Sequence, residues 1–304
     1  MTLPPDVFSV DVEEYFQVSA FEKVLSRADW DTIPSRLAAC LSRLLALLDI
    51  RCVQATFFIL GWIAERRPRL VAEIAAAGHE IACHGYDHRL VYQMNPAEFR
   101  EDLRRAKSAI EDAAGAAVVS YRAPSFSITR KSLWALEVLA ESGFRNDASV
   151  FPIRHDRYGI PDAAPGPHRI VTPSGTIREF PGTTVRWAGC NVPLGGGGYL
   201  RLFPWAMTRR LMRRVRSRYG RPCMVYVHPW EMDPGQPEVK GASWLARRRH
   251  RVGLKRTEDK LQRMLECFRF TRLDRCLDAL PLPEADWEQY ASSGALRKKK
   301  ATTT

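Results

Sequence analysis

The first 150 residues alternate short apolar runs with stretches of helical periodicity, and this rhythm constrains the fold more than any other feature of the chain. FSVDV (8–12), VQATFFIL (53–60), HEIACHG (79–85), AVVSYRAP (117–124) and GFRNDASV (143–150) read as strands. Between them, Pro34 to Leu48 repeats leucine at helical spacing, and Pro68 to Ala77 is a helix stopped by Gly78. Asn95 caps a long helix over 96–114 that ends at Gly115, and Lys131 to Glu141 is a helix stopped by Ser-Gly. Repeated βα units build a parallel sheet, and five in a row suit a barrel at least as well as an open sheet.

From Phe151 to Pro204 the rhythm gives way to insertion material rich in Gly and Pro, with strands expected at 168–173 and 176–187 and a flexible loop at Gly195–Gly198. The βα pattern returns as a basic helix (204–219), the strand CMVYVHP (223–229), a helix near 256–268 and the strand-like FRFTRL (268–273). The expected organisation is a barrel over 1–230 and a basic extension over 231–304 packed on it, fraying after Pro283. A chain of 304 residues with 45% hydrophobic content can bury a core without disulfides, so a metal would be present for chemistry. No stretch approaches the roughly 18 apolar residues of a membrane span.

Seven scattered cysteines without a CxxC pair, and a Met1 to Tyr15 segment that does not read as a secretory signal, suggest a reducing cytoplasm. Charge is uneven. Residues 1–200 carry 22 Lys/Arg against 23 Asp/Glu, whereas 201–304 carry 24 against 11, a balance of −1 against +13. The basic runs at 209–218, 247–251 and 297–300 have no nucleic-acid-binding motif beside them, so an anionic surface or plain solvation is the better reading than nucleic acid.

His84 and His88 follow a strand, and their spacing lets two imidazoles share one divalent ion on a single helical turn, or leaves them as loop histidines bonded to backbone. Asp11, Glu13 and Glu14 stand where the first apolar strand exits, and alternation puts Asp11 and Glu13 on one side. A solvated strand end accounts for Glu14 but poorly for Asp11, which lies inside the apolar run. Two His and one carboxylate leave open positions on an ion, as catalytic sites do. A second carboxylate could then act as general base.

The ordered set SVDVEE (9–14), HGYDH (84–88), RAPSF (122–126), NDASV (146–150) and VYVHP (225–229) resembles the five motifs of the NodB-homology polysaccharide deacetylases. The resemblance implies an α/β fold, a distorted (β/α) barrel, with metal-dependent hydrolysis at the strand C-termini. DVEEYFQV, GGGGYLRLFP and RTEDKLQRMLECFRF resemble the subfamily associated with bacterial exopolysaccharide loci.

Carried over, the resemblance implies Asp11 as general base, His84 and His88 as metal ligands, Arg122 as the holder of the base, His228 as general acid and Asp147 as the carboxylate that orients it. The family's first motif has adjacent aspartates. Here the third ligand is Glu13 or Glu14, and Glu13 is favoured because it shares a face with Asp11. Ser125 stands where the third motif often has Tyr, and Trp230 is a candidate for stacking on a sugar ring or a packed loop residue.

The expected chemistry is release of N-acetyl, or O-acetyl, groups from a bacterial polysaccharide or its lipid-linked precursor, with Zn2+ as the ion and a backbone N–H in the 123–125 turn holding the oxyanion. Two other readings are an inactive carbohydrate-binding protein on the same fold and a 2-His-1-carboxylate iron oxygenase. The first would lack one of the base, acid or ligands. The second usually draws its close His/carboxylate pair from a β-sandwich. The basic C-terminal third further suggests peripheral, salt-sensitive attachment to anionic membranes.

Overall fold

The computed structural model describes residues 3–187 and 189–285. In chain order the strands are β1 (Asp6–Val12), β2 (Thr56–Ile59), β3 (Glu80–Cys83), β4 (Ser120–Tyr121), β5 (Asn146–Asp147), β6 (His168–Thr172), β7 (Gly175–Glu179), β8 (Thr184–Trp187), β9 (Cys190–Pro193), β10 (Met224–Val227), β11 (Phe270–Thr271) and β12 (Glu284–Ala285). The helices are α1 (Leu37–Ile50), α2 (Gly61–Arg66), α3 (Pro68–Ala76), α4 (Pro96–Ala114), α5 (Trp134–Glu141), α6 (Gly197–Leu202), α7 (Trp205–Tyr219), α8 (Trp244–Arg251), α9 (Thr257–Cys267) and α10 (Leu273–Asp278).

One sheet runs β10-β1-β2-β3-β4-β5-β7-β6-β12, with β11 also paired to β1. The strands from β10 to β7 along this path are parallel neighbours, and only β6 and β7 form an antiparallel hairpin within it. The ring is closed by irregular chain rather than by a strand pair. Thr183 bonds both backbone groups of Met224 through its hydroxyl, and Tyr226 N–H donates to the Gly195 carbonyl at 2.9 Å. This is the distortion in the barrel.

Alternation on β1 divides the core in two. Phe8, Val10 and Val12 join the large cluster under the helices, which includes Leu41, Leu44, Leu48, Phe99 and Leu103. Val7, on the other face, packs inside the barrel with Phe58, Ala82, Ala148, Phe180 and Met224. Asp11 shares this inner face, so a carboxylate ends up in the upper barrel interior, 3% exposed. α4 is held by a complete capping box at Asn95 and Glu98 and by a left-handed Gly115 at its end.

The expected strand at 176–187 is two strands, β7 in the main sheet and β8 in a separate hairpin with β9. Phe180 to Thr183 leaves the sheet to bond β5 and β10, which breaks the run. Gly195–Gly198 is not a loose loop. Gly196 lies against the Tyr226 ring so closely that a Cβ would sit 2.0 Å from it, and α6 begins at the next residue. Residues beyond 230, expected to pack on the barrel, also enter its sheet as β11 and β12. Glu284 and Ala285 thus extend order past Pro283, while the rest of the expected frayed tail and the basic run at 297–300 lie outside the described residues. No helix among the described residues is long and apolar enough to cross a membrane.

Candidate active site

Register assembles the site. Val12, Ile59, Cys83 and Tyr121 lie in one row across β1 to β4, so the residues that follow them, among them Glu13, His84 and Arg122, emerge together at the C-terminal rim. Val10 pairs with Val227, which brings His228 beside Asp11. Parallel strands all end on the same side, and barrel chemistry collects there.

Glu13, His84 and His88 are buried and each offers a ligand atom, all within 4.8 Å of one another. His84 Nδ1–H donates to the Arg122 carbonyl at 2.7 Å, which leaves Nε2 as a lone-pair donor. His88 Nδ1 lies 3.4 Å from Ser19 Oγ, and its Nε2 is 2.9 Å from Glu13 Oε2. No hydrogen bond reaches that buried oxygen among the described residues. Trp230 Nε1–H donates to the other oxygen, Oε1, at 3.0 Å. Two imidazole nitrogens and a carboxylate oxygen turned toward one point fit a divalent ion. The His pair does not sit on a helical turn. A loop with Gly85 and His88 in left-handed conformations, φ 76° and 60°, folds the two rings toward each other.

Electrostatics agree with ligand roles. Burial pushes the His84 imidazole down to about 4, so it is neutral near pH 7. Burial would raise Glu13, but the neighbouring His88 and His228 outweigh it and hold the carboxyl below its usual range. Glu14 points elsewhere. Its carboxylate takes the Ser35 hydroxyl and the backbone N–H groups of Arg36 and Leu37, at 3.1 and 3.4 Å, and so caps α1.

Asp11 is gripped by Arg122, whose Nη1 donates to Oδ1 at 2.6 Å. The guanidinium is wholly buried, 4.1 Å above the Phe58 ring, and its Nε donates to the Ala148 carbonyl. Asp11 Oδ2 faces His228 Nε2 at 3.9 Å. Burial works against charge on His228, yet Glu13 and Glu231 raise its pKa to about 9.

Two expected roles are corrected. Asp147 makes no hydrogen bond to His228 among the described residues. It accepts from Ser149 Oγ, and burial raises both it and the adjacent Glu179. The carboxylate on His228 is Glu231, with Oε1 3.3 Å from Nδ1. They stand three positions apart, a local spacing that lies outside the family motifs. Trp230 offers no ring face to a sugar, because His228 stacks on the ring at 5.0 Å and His250 at 4.1 Å. Ser125 sits at the rim in a left-handed turn, φ 52°, with its hydroxyl 2.7 Å from Ser19.

Residues 29–145 match the family model described as polysaccharide deacetylase, and residues 148–278 match a domain of unknown function (DUF3473). The first of these segments is similar to a polysaccharide deacetylase domain. The chitooligosaccharide deacetylase of Bradyrhizobium sp. (strain ANU 289) is 31% identical over 44% of this chain and 57% of its own length. The peptidoglycan-N-acetylglucosamine deacetylase of Bacillus cereus is 37% identical over 28% of this chain and 31% of its own. The chain therefore spans about half or less of these relatives. In structure, a putative polysaccharide deacetylase from Mycobacterium smegmatis superposes with a TM-score of 0.57 at 22% identity, covering 98% of this chain and 94% of the other, which shows a shared fold. Asp11 and Glu13 precede the matched deacetylase segment and His228 follows it, so the site draws on residues outside that segment.

Proposed function

We propose that the protein is a metal-dependent hydrolase that removes N-acetyl groups from a bacterial polysaccharide, an exopolysaccharide or its lipid-linked precursor. One observation carries this reading. An open-valence Glu13, His84, His88 cluster lies beside Asp11 and His228, two further titratable groups 3.9 Å apart. The names of the two relatives, deacetylases of chitooligosaccharide and of peptidoglycan N-acetylglucosamine, support an acetylated amino sugar as the substrate class.

Glu13, His84 and His88 would hold the ion, and this donor set suits Zn2+. Such an ion supplies Lewis acidity toward a carbonyl and acidifies water. Asp11, fixed through one oxygen by Arg122, keeps the other to accept the proton of the attacking water. His228, protonated up to about 9, gives a proton to the departing amine. In the 123–125 turn the Ser125 backbone N–H is the one for the oxyanion, because Ala123 N–H donates to Ser149 Oγ, Pro124 has none and Phe126 N–H donates to the Ala123 carbonyl.

Metal analysis combined with acetate release from N-acetylated and O-acetylated oligosaccharides tests the proposal. One ion per chain and acetate from an N-acetylglucosamine oligomer are expected. Failure of the metal-loaded protein to release acetate from any of them overturns the reading, and release from O-acetyl glycans alone overturns the amide specificity.

The same reading places the enzyme in the cytoplasm against the inner membrane face. All seven cysteines are free, as a reducing compartment favours. The outer face of α8 exposes Trp244 and Leu245 beside Arg248 and Arg249, and α7 exposes Arg209, Arg210 and Arg213. Co-sedimentation with anionic vesicles should be strong at low salt and weak at high salt. Equal indifference at both would reduce these clusters to a solvated face.

A further inference from the structure

Resting on the hydrolase reading, we infer that Glu231, with Arg201 as its counter-ion, is the positioning residue for His228, in the place where the family pattern expects Asp147. An imidazole can present only one nitrogen to a reacting group, and its other nitrogen must be held if the ring is to keep its orientation and tautomer. His228 Nε2 faces the site, 3.9 Å from Asp11 Oδ2 and 3.7 Å from Glu13 Oε1. Its Nδ1 meets Glu231 Oε1 at 3.3 Å. The short helical turn Pro229–Met232 sets this reach, because Glu231 N–H donates to the His228 carbonyl and so folds the glutamate back beneath the ring it serves.

Glu231 has no contact with solvent, and a lone carboxylate there would be costly. Arg201 supplies the counter-charge, with its Nε 3.4 Å from Oε1. The guanidinium is itself tied down. Nη1 donates to the His250 carbonyl at 2.7 Å, Nη2 to the Arg249 carbonyl at 3.4 Å, and the group lies 5.0 Å from the Trp230 ring centre. Three separate elements, the end of β10, α6 and α8, thus converge on one imidazole. Asp147 accepts from Ser149 and, among the described residues, makes no hydrogen bond to His228.

The test combines nitrogen-15 histidine spectra with kinetics. Glu231→Gln preserves shape and an acceptor oxygen, so it keeps the fold while removing the charge. Glu231→Ala removes the acceptor as well. In the wild type a hydrogen-bonded Nδ1–H signal of His228 is expected, retained in Asp147→Asn and lost in Glu231→Ala. Turnover (kcat) should fall about tenfold in Glu231→Gln and up to about a hundredfold in Glu231→Ala, with KM and bound metal unchanged. A His228 signal that survives in Glu231→Ala, or turnover within about twofold of wild type in both variants, overturns the assignment. If the wild type releases no acetate at all, the hydrolase reading fails while the spectra still decide whether Glu231 holds His228.

Discussion

Two buried polar clusters sit at opposite ends of the same barrel, and they differ in whether their valences are filled. Near the N-terminal ends of the strands, Glu80 accepts from Ser120 Oγ on one oxygen and from Thr56 Oγ1, at 2.6 Å, and Asp274 N–H, at 3.1 Å, on the other. Asn146 continues the network to Ser120, and Arg178 continues it to Asn146. At the C-terminal rim, Glu13 Oε2 and Glu231 Oε2 are equally buried, and among the described residues neither is held by a backbone N–H or hydroxyl, Glu13 Oε2 facing only the His88 ring nitrogen at 2.9 Å. A satisfied network rigidifies, whereas an open valence in a buried carboxylate is costly unless something else is meant to fill it. The lower cluster joins α10 to the barrel, and the upper one is arranged to meet a ligand.

The sharpest way to break this contrast is to remove a ligand from the open end. His84→Ala should lose most of the bound metal and nearly all acetate release, read by metal analysis and an acetate assay. Full metal stoichiometry in that variant would make the open valence incidental. Asp11→Asn comes next. It should keep the metal and lose on the order of 10²–10⁴ in rate, because it removes proton transfer and leaves the Glu13, His84, His88 set intact.

The closed end should answer in stability instead. Glu80→Leu leaves the Ser120 and Thr56 hydroxyls and the Asp274 N–H without their acceptor and should cost about 1–3 kcal/mol in denaturant unfolding, with metal content kept. The two ends also respond to pH with opposite sign. Burial and Asp274 push Glu80 up to about 6 from 4.5, so its contribution to stability is full below 4.5 and is lost as pH rises through 6. Burial and Arg201 push His250, behind the rim, down to about 3 from 6.5, so its contribution is full above 6.5 and is lost as pH falls through 3. Glu80→Gln should flatten the first window and His250→Gln the second. The smallest effect belongs to Glu14→Gln, which weakens the α1 cap by about 1 kcal/mol and leaves metal binding alone.

Periodicity found the βα order and the strand ends because each strand of the barrel must bury apolar residues and each helix must show one apolar face. The choice of Glu13 over Glu14 followed from alternation on β1, and the structure groups Glu13 with His84 and His88 while Glu14 caps a helix. Sequence reading failed where contacts are long-range or local cues conflict. In TIREFPGTTVRW the Pro181-Gly182 pair stands at the break between β7 and β8 but does not say that the chain changes sheet, and the four glycines read as slack when Gly196 is in fact pressed on Tyr226.

What the sequence alone determined is therefore the ladder of strands, the inner face of β1, and the residue types that a metal-assisted hydrolysis needs. Spacing along a chain specifies such things because strand and helix periods are local. Glu231 reaches His228 through the local turn Pro229–Met232, whereas the Arg201 counter-charge beside Glu231 and the His250 ring on Trp230 depended on packing between residues far apart in the chain. Arg201, Glu231 and His250 come from separate elements, and only tertiary folding brings their charges and rings within reach of one another.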